Sequence, residues 1–319
     1  MRSSRISQTK AHASELSANN WMGSVHFLGE IALFVIGIWM AQSSYFLLWL
    51  LSQILLAFVF FHAFVLLHEA GHHHLFRQKI LNVIAGHWAG VLALIPFNSW
   101  RKIHALHHRY TGWQDLDATT ANIVPRQLTV LERALINFAW KTGFPLFSLL
   151  YRLQNYWNVW RLRKFLSTKG IPPAMWINLV LQASFYLFLC LYMGANLLVN
   201  CFALAMLLSW IMQDIFILSQ HTHIPQHLSD GRPVKLFRHS EQSQFTRSLL
   251  LPKALSWFLM YNDRHALHHE FPAVPGYRLS VLDDESTHQV HWWTWLKAAK
   301  KMPGTEFLFS NRTHTGFEL

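Results

Sequence analysis

Two long apolar blocks constrain this chain more than any other feature. One runs from about residue 24 to 67 and the other from about 173 to 219, and neither contains a Lys or Arg. Each is close to twice the roughly 20 residues that cross a hydrocarbon core as a helix, so each reads as a transmembrane hairpin. Small polar residues mark the turns, Gln42-Ser43-Ser44 in the first block and Gly194-Ala195-Asn196 in the second. Four spans are expected, at about 24–42, 43–67, 173–193 and 196–219. The fold class is therefore an all-α integral membrane protein: two hairpins, with a helical cap formed by residues 68–172 and 220–319. Only 13% of the residues are charged, about half the proportion usual in soluble domains.

Charge supplies an orientation. All 27 Lys and Arg lie in residues 1–20, 68–172 and 221–319, which two hairpins leave on one side of the bilayer. By the positive-inside rule that side is the cytoplasm, and it holds both termini. The net charge of +11 then reads as a basic face against anionic headgroups, and no nucleic-acid partner is expected. Residues 1–20 lack the apolar core of a cleavable signal peptide. The two cysteines, Cys190 and Cys201, fall in the second hairpin and match no metal spacing. Residues 1–319 are expected to form a single membrane domain. Residues 80–97 (ILNVIAGHWAGVLALIPF) are apolar enough to span, but a crossing there would separate the basic loops and histidines on either side. They are expected to lie in the interface or to re-enter.

Histidine carries the chemistry. The pentapeptide HALHH occurs twice, at His104–His108 and His265–His269, whereas a shuffled chain with 21 His would show H-x-x-H-H about 0.1 times. On a helix, positions i, i+3 and i+4 share one face, so each copy aims three imidazoles one way. HEAGHHH, with His68 and His72 one turn apart, follows the first hairpin, and QHTHIP, with His221, follows the second. All four clusters lie at one membrane face. Two from the first cluster, three from each HALHH and at least one from QHTH make nine candidate ligands, more than one metal can use. Two metals of five or six coordination can use them, and imidazole suits iron, copper, zinc and nickel alike. Structural zinc would stop at four and usually involve Cys, so a redox pair fits better. His73, His74 and His223 are less well phased. His62, about 9 Å deeper along the helix than His68, reads as a hydrogen-bonded core residue. His12, His26, His87, His227, His239, His288, His291 and His314 lack a partnered spacing and read as surface or headgroup residues.

With these clusters the chain resembles the membrane fatty-acid desaturases, most closely their acyl-lipid branch, which includes the plant and cyanobacterial Δ12 enzymes. HEAGHHHLF is similar to that branch's first histidine box and IPFNSWRKIHALHHRYTG to its second. SQHTHIP resembles its Gln-His-Thr-His-Pro stretch, and HALHHEFPAVPGYRL its third box. The resemblance spans about residues 60–280. It implies a non-haem di-iron centre on the cytosolic face, two Fe ions held by His68, His72, His104, His107, His108, His221, His265, His268 and His269. One departure is Ile217, where acyl-CoA desaturases carry an Asn that reaches the metal through water; Gln220 or Asp214 is a candidate substitute. Asp214 lies two turns before His221, on nearly the same face. Metal-bound His commonly donates its second N–H to a carboxylate, and Glu69 and Asp263 are favoured for that support, with Asp214 as a further candidate. Asp115, Asp117 and Glu270 read about as well as solvated surface.

The resemblance implies O2-dependent removal of hydrogen from two adjacent methylenes of an acyl chain, one attached to a membrane lipid. No recognisable haem domain or iron–sulfur Cys pattern accompanies the boxes, so electrons are expected from an external donor, an acidic ferredoxin or a cytochrome b5-like protein. Arg101, Lys102 and Arg109 flank the second box and would meet it. A hydroxylase or ketolase of the same superfamily, acting on acyl chains, alkanes or carotenoids, is the alternative. A His-rich metal transporter is a third reading, disfavoured because its ligands should lie near mid-membrane in broken helices.

Overall fold

The computed structural model describes residues 13, 15–166, 170–282 and 289–319; His12 and His288 lie outside them. The first elements in chain order are α1 (Asn20–Ala41), α2 (Phe46–Gly71), α3 (Lys79–Leu92), α4 (Phe97–Tyr110) and α5 (Val130–Thr142). They are followed by α6 (Leu146–Arg152), α7 (Val159–Leu166), α8 (Pro173–Met193) and α9 (Ala195–His221). Beyond these come β1 (Ser248–Leu250), α10 (Lys253–Phe258), α11 (His265–Glu270), β2 (Gln289–His291), α12 (Trp292–Ala299) and α13 (Gly304–Phe309). The strands pair in parallel, Ser248 opposite Gln289. Two compact units divide the chain. A membrane unit holds residues 18–103 and 147–213, and a histidine unit holds the described residues of 1–17, 104–146 and 214–319.

Four helices are long and apolar enough to cross a bilayer: α1, α2, α8 and α9, of 22, 26, 21 and 27 residues. In the membrane unit α2 is central, since its side chains from Val59 to Ala70 are buried on every face. Leu56, Val59, Phe60 and Ala63 pack with Ala41 of α1, Leu92 of α3, and Cys201 and Ala205 of α9. Gly37 makes the hairpin tight, because a Cβ there would meet a Leu56 methyl at 2.5 Å. Inside the hairpin Glu30 accepts from His62 Nδ1 at 2.6 Å and from Trp88 Nε1 at 3.1 Å, and His26 Nδ1 lies 3.2 Å from His62 Nε2. Buried polar groups must find such partners where no water competes.

One span is irregular. Val199–Ala203 of α9 is π-helical, which breaks the regular bonding ladder inside hydrocarbon. Gln53 of α2 restores it: its amide donates to Cys201 O at 3.2 Å, and its carbonyl accepts from Ala205 N at 3.1 Å. Trp49 Nε1 donates to Asn200 O at 3.0 Å.

The segment expected to lie in the interface or re-enter is broken. The chain turns by 99° between α3 and α4. Each of the two helices has 14 residues and is about 21 Å long, short of the roughly 30 Å core. The last carbonyls of α3 are capped by side chains: Arg152 Nε donates to Ala93 O, Trp157 Nε1 to Leu94 O, Gln182 Nε2 to Gly90 O and Tyr186 Oη to Val91 O, all at 2.8–3.0 Å. A cation at a helix C-terminus also complements the dipole.

In the histidine unit, α5 begins with a capping box, Thr129 and Glu132 satisfying each other's backbone N–H, and ends on a left-handed Gly143. Its Trp140 stacks on Phe307 of α13, with ring centroids 4.3 Å apart.

Candidate metal centre

Helix periodicity aims the histidines. In the histidine unit, α4 contributes His104, His107 and His108, α9 ends on His221, and α11 contributes His265, His268 and His269. All are buried except His221, which is half-buried. They sort into two groups that mix the two copies of HALHH. Nε2 of His107 lies 3.1 Å from Nε2 of His269, which lies 3.1 Å from Nε2 of His265, which in turn lies 2.8 Å from Nε2 of His221. The second group joins His104 to His108, and His108 to His268, again Nε2 to Nε2 at 3.0 Å.

The outer nitrogens decide what these contacts mean. His107 Nδ1 donates to Asp117 Oδ2 at 2.6 Å, with the Thr119 hydroxyl 3.0 Å away. His221 Nδ1 donates to the Phe245 carbonyl at 3.1 Å, and His269 Nδ1 to Gln242 Oε1 at 3.1 Å. Gln242 is oriented in turn because its amide donates to His108 O at 2.8 Å. These acceptors hold the ring proton on Nδ1, so the Nε2 atoms of His107, His221 and His269 face inward as lone pairs. Ligand atoms of His107, His221, His265 and His269 all fall within 4.8 Å of one another. Convergent lone pairs at such distances repel unless a cation sits among them. A proton does not fill that role at His269, whose pKa is held well below its usual value by burial and then by His108 and His265. An all-imidazole cage of this kind fits a transition-metal ion.

The surroundings fix the cage. Asp117 is fully buried, which would raise its carboxyl, yet the charge and hydrogen bond of His107 hold it below the usual range. Thr111 donates to His107 O at 2.6 Å. Arg247 accounts for the end of α9: its backbone N–H donates to Gln220 O at 2.8 Å, and its guanidinium donates to Ser219 O at 2.7 Å and to Thr222 O at 3.3 Å. Burial, with Arg312 nearby, lowers its pKa to about 10, so it stays charged at neutral pH.

In the membrane unit, His68 sits on the last turn of α2 and His72 caps its C-terminus, with ring centroids 4.8 Å apart. Glu69 Oε1 lies 3.1 Å from His68 Nδ1. Trp100 packs edge-on against both rings, and Gly71 lets it approach, since a Cβ there would meet the indole at 2.1 Å. His74 stacks on His72 at 5.4 Å. His73, at φ 62°, has its Nε2 2.8 Å from Arg101 Nη2 and so accepts from the guanidinium. His223, also at φ 62°, has its Nε2 2.9 Å from the Thr315 hydroxyl. Both oxygens of Asp263 accept from Ser256 Oγ, at 2.7 and 2.9 Å. Asp214 is buried, and its charge acts on Lys300.

Asp117 and Gln242 are the residues that sequence reasoning undervalued. A carboxylate ten residues past His107 in a loop has no periodic signal, although Asp115-Leu-Asp117 beside the second box is a hint. Gln242 has none.

Four candidate spans and buried clusters of imidazole define a helical membrane protein equipped to bind metal. A family model described as fatty acid desaturase matches residues 8–294, and the chain belongs to that family. It is 25% identical over 239 residues to an endoplasmic-reticulum omega-3 fatty acid desaturase of Vigna radiata var. radiata, covering 69% of this chain and 60% of the relative. A chloroplastic temperature-sensitive sn-2 acyl-lipid omega-3 desaturase (ferredoxin) of Arabidopsis thaliana is 29% identical over 140 residues, 43% of this chain and 32% of that one. An sn-1 oleoyl-lipid 12-desaturase of a Picosynechococcus species is 40% identical over 62 residues, 19% and 18% of the two chains. The chain thus spans about three fifths or less of the length of these relatives.

Proposed function

We propose that this protein is an O2-dependent acyl-lipid desaturase. Overall, two hydrogens leave adjacent methylenes, dioxygen and two electrons from an outside donor are consumed with two protons, and a double bond and two waters result. The observation that carries the reading is the set of inward-facing Nε2 lone pairs on His107, His221 and His269, locked by Asp117, the Phe245 carbonyl and Gln242. His265 completes that group. His104, His108 and His268 make the other, and His68 and His72 are proposed as further ligands. A pair of irons held there supplies the oxidising power that unactivated carbon requires, because no side chain is a strong enough base to take a proton from an alkane.

The rest is the work of the chain. Asp117 and Gln242 fix tautomers and aim the rings, Glu69 does the same for His68, and Arg247 secures the turn that carries His221. Burial lowers the pKa of His221 and of His269, which favours their neutral, ligating forms. The acyl substrate enters from the bilayer, and residues 1–319 act as one catalytic domain with both termini and the metal site on the cytoplasmic side. The donor is a ferredoxin, as the printed name of the Arabidopsis relative suggests for that protein, or a cytochrome b5-like carrier.

Expression in a host that makes saturated and monounsaturated lipids, with new double bonds located by mass spectrometry, tests the activity. Iron content of the purified protein tests the site. New unsaturated lipid and about two irons per chain are expected, and His268→Ala should lose both product and iron. Hydroxylated product would move the reading to the alternative chemistry, and an iron-free active protein would end it.

A further inference from the structure

Helix α5 turns the wrong face outward for a helix bathed in water. Its inner side is seated on α13: Trp140 stacks on Phe307, Asn137 Oδ1 accepts from Thr305 N at 2.9 Å, and Gly304 lies so close that a Cβ would meet Trp140 at 2.6 Å. The opposite side exposes Val130, Leu131, Leu135 and Phe138, with exposures of 87%, 68%, 49% and 59%. At 100° per residue these four, with Ala134, fall within one arc of about 140°. Phe144, just past the helix, is also exposed.

Charge on this helix is one-sided. Its acid, Glu132, is occupied: it closes the capping box with Thr129 and forms a bidentate pair with Arg126, at 2.7 and 3.3 Å. Arg133 and Lys141 are exposed; by the same count Lys141 falls within the apolar arc at the end of the helix, and Arg133 lies about 60° beyond Val130. A capped helix about 20 Å long, with aliphatic and aromatic side chains on one face and cations beside them, matches the layer where acyl chains meet anionic headgroups. Long basic side chains can lift their charge to the phosphates while the apolar face stays buried. A soluble acidic protein would match the cations but would not require four large apolar side chains.

We propose that α5 is a membrane-docking helix, its Val130–Leu131–Leu135–Phe138 face sunk into the bilayer interface and its Arg133 and Lys141 engaging anionic phospholipid headgroups. The helix thereby tethers the histidine unit to lipid independently of the four spans. This placement does not depend on the reaction proposed above.

A photoreactive benzoyl-phenylalanine in place of Leu135 or Phe138, in full-length protein in nanodiscs of equimolar phosphatidylglycerol and phosphatidylcholine, tests this directly. Ultraviolet crosslinking followed by mass spectrometry should give phospholipid adducts enriched in phosphatidylglycerol, and none from the same probe at the exposed loop position Arg232. In the Arg133→Gln/Lys141→Gln variant, whose fold is checked by circular dichroism, the enrichment should fall by about fivefold for each cation removed. Absence of lipid adducts at both positions, or adducts to protein instead, would overturn the docking face. Enrichment unchanged in the double variant would overturn the role of the cations.

Discussion

Gln242 shows how one neutral side chain can hold two distant pieces of a site. Its carbonyl receives the Nδ1 proton of His269 and its amide donates to the His108 carbonyl, so it ties α4 to α11. Gln242→Leu leaves both groups without their partner and frees the His269 ring to change tautomer. The expected result is a 10- to 100-fold drop in iron affinity or turnover, read by metal content and product formation; wild-type values for both would remove Gln242 from the site. Asp117 acts through charge. Its carboxyl titrates below the ordinary 3.8, so its stabilisation is fully present above pH ~4 and is lost as pH falls through the lower folded value. Wild type should therefore lose stability more steeply than Asp117→Asn on acidification below pH ~4, as followed by thermal unfolding. The grouping of the imidazoles was legible because helical spacing alone aims i, i+3 and i+4 together. The partners of the second nitrogen were not: Asp117, given no preference over Asp115 or Glu270, reaches His107 from a loop. Tertiary placement, which leaves no periodic trace, decides between them.

At the scale of elements, hydropathy located the four spans to within a few residues because it reports the solvent, and a bilayer is the most demanding solvent a chain meets. The ends shift for a physical reason. Helix α2 runs past the apolar block to Gly71, carrying His68 and His72 with it, since a started helix extends cheaply until a cap stops it. The π-segment in α9 could not be read from sequence, because its cost is offset by Gln53 on another helix. Gln53→Leu should therefore strand the Cys201 carbonyl and the Ala205 N–H in an apolar medium. A loss of about 1–3 kcal/mol for each is expected, measured as a lowered unfolding midpoint in detergent. An unchanged midpoint would mean that the bulge finds other partners.

For the whole molecule the proposed reaction requires an outside electron donor, and α4 bears on where one would dock. Its buried side carries His104, His107 and His108, while Lys102, Ala105 and Arg109 are exposed at i, i+3 and i+7 on another face. Arg101, which sequence reading groups with these cations, is half-buried, donates to His73 and lies 5.6 Å above the Phe97 ring. The exposed positive charge therefore rests on Lys102 and on Arg109, which lies 5.4 Å above the Tyr110 ring. An acidic carrier steered to that face would arrive faster at low salt, because exposed charges attract over roughly a Debye length, ~10 Å at 0.1 M. Lys102→Glu/Arg109→Glu should slow reduction by the carrier in stopped-flow measurements, flatten or invert the salt dependence, and leave iron content unchanged. Arg101→Glu should instead disturb His73 and Phe97, changing stability more than salt dependence. If the double reversal reduced at the wild-type rate with the wild-type salt slope, the donor would have to approach by a different surface.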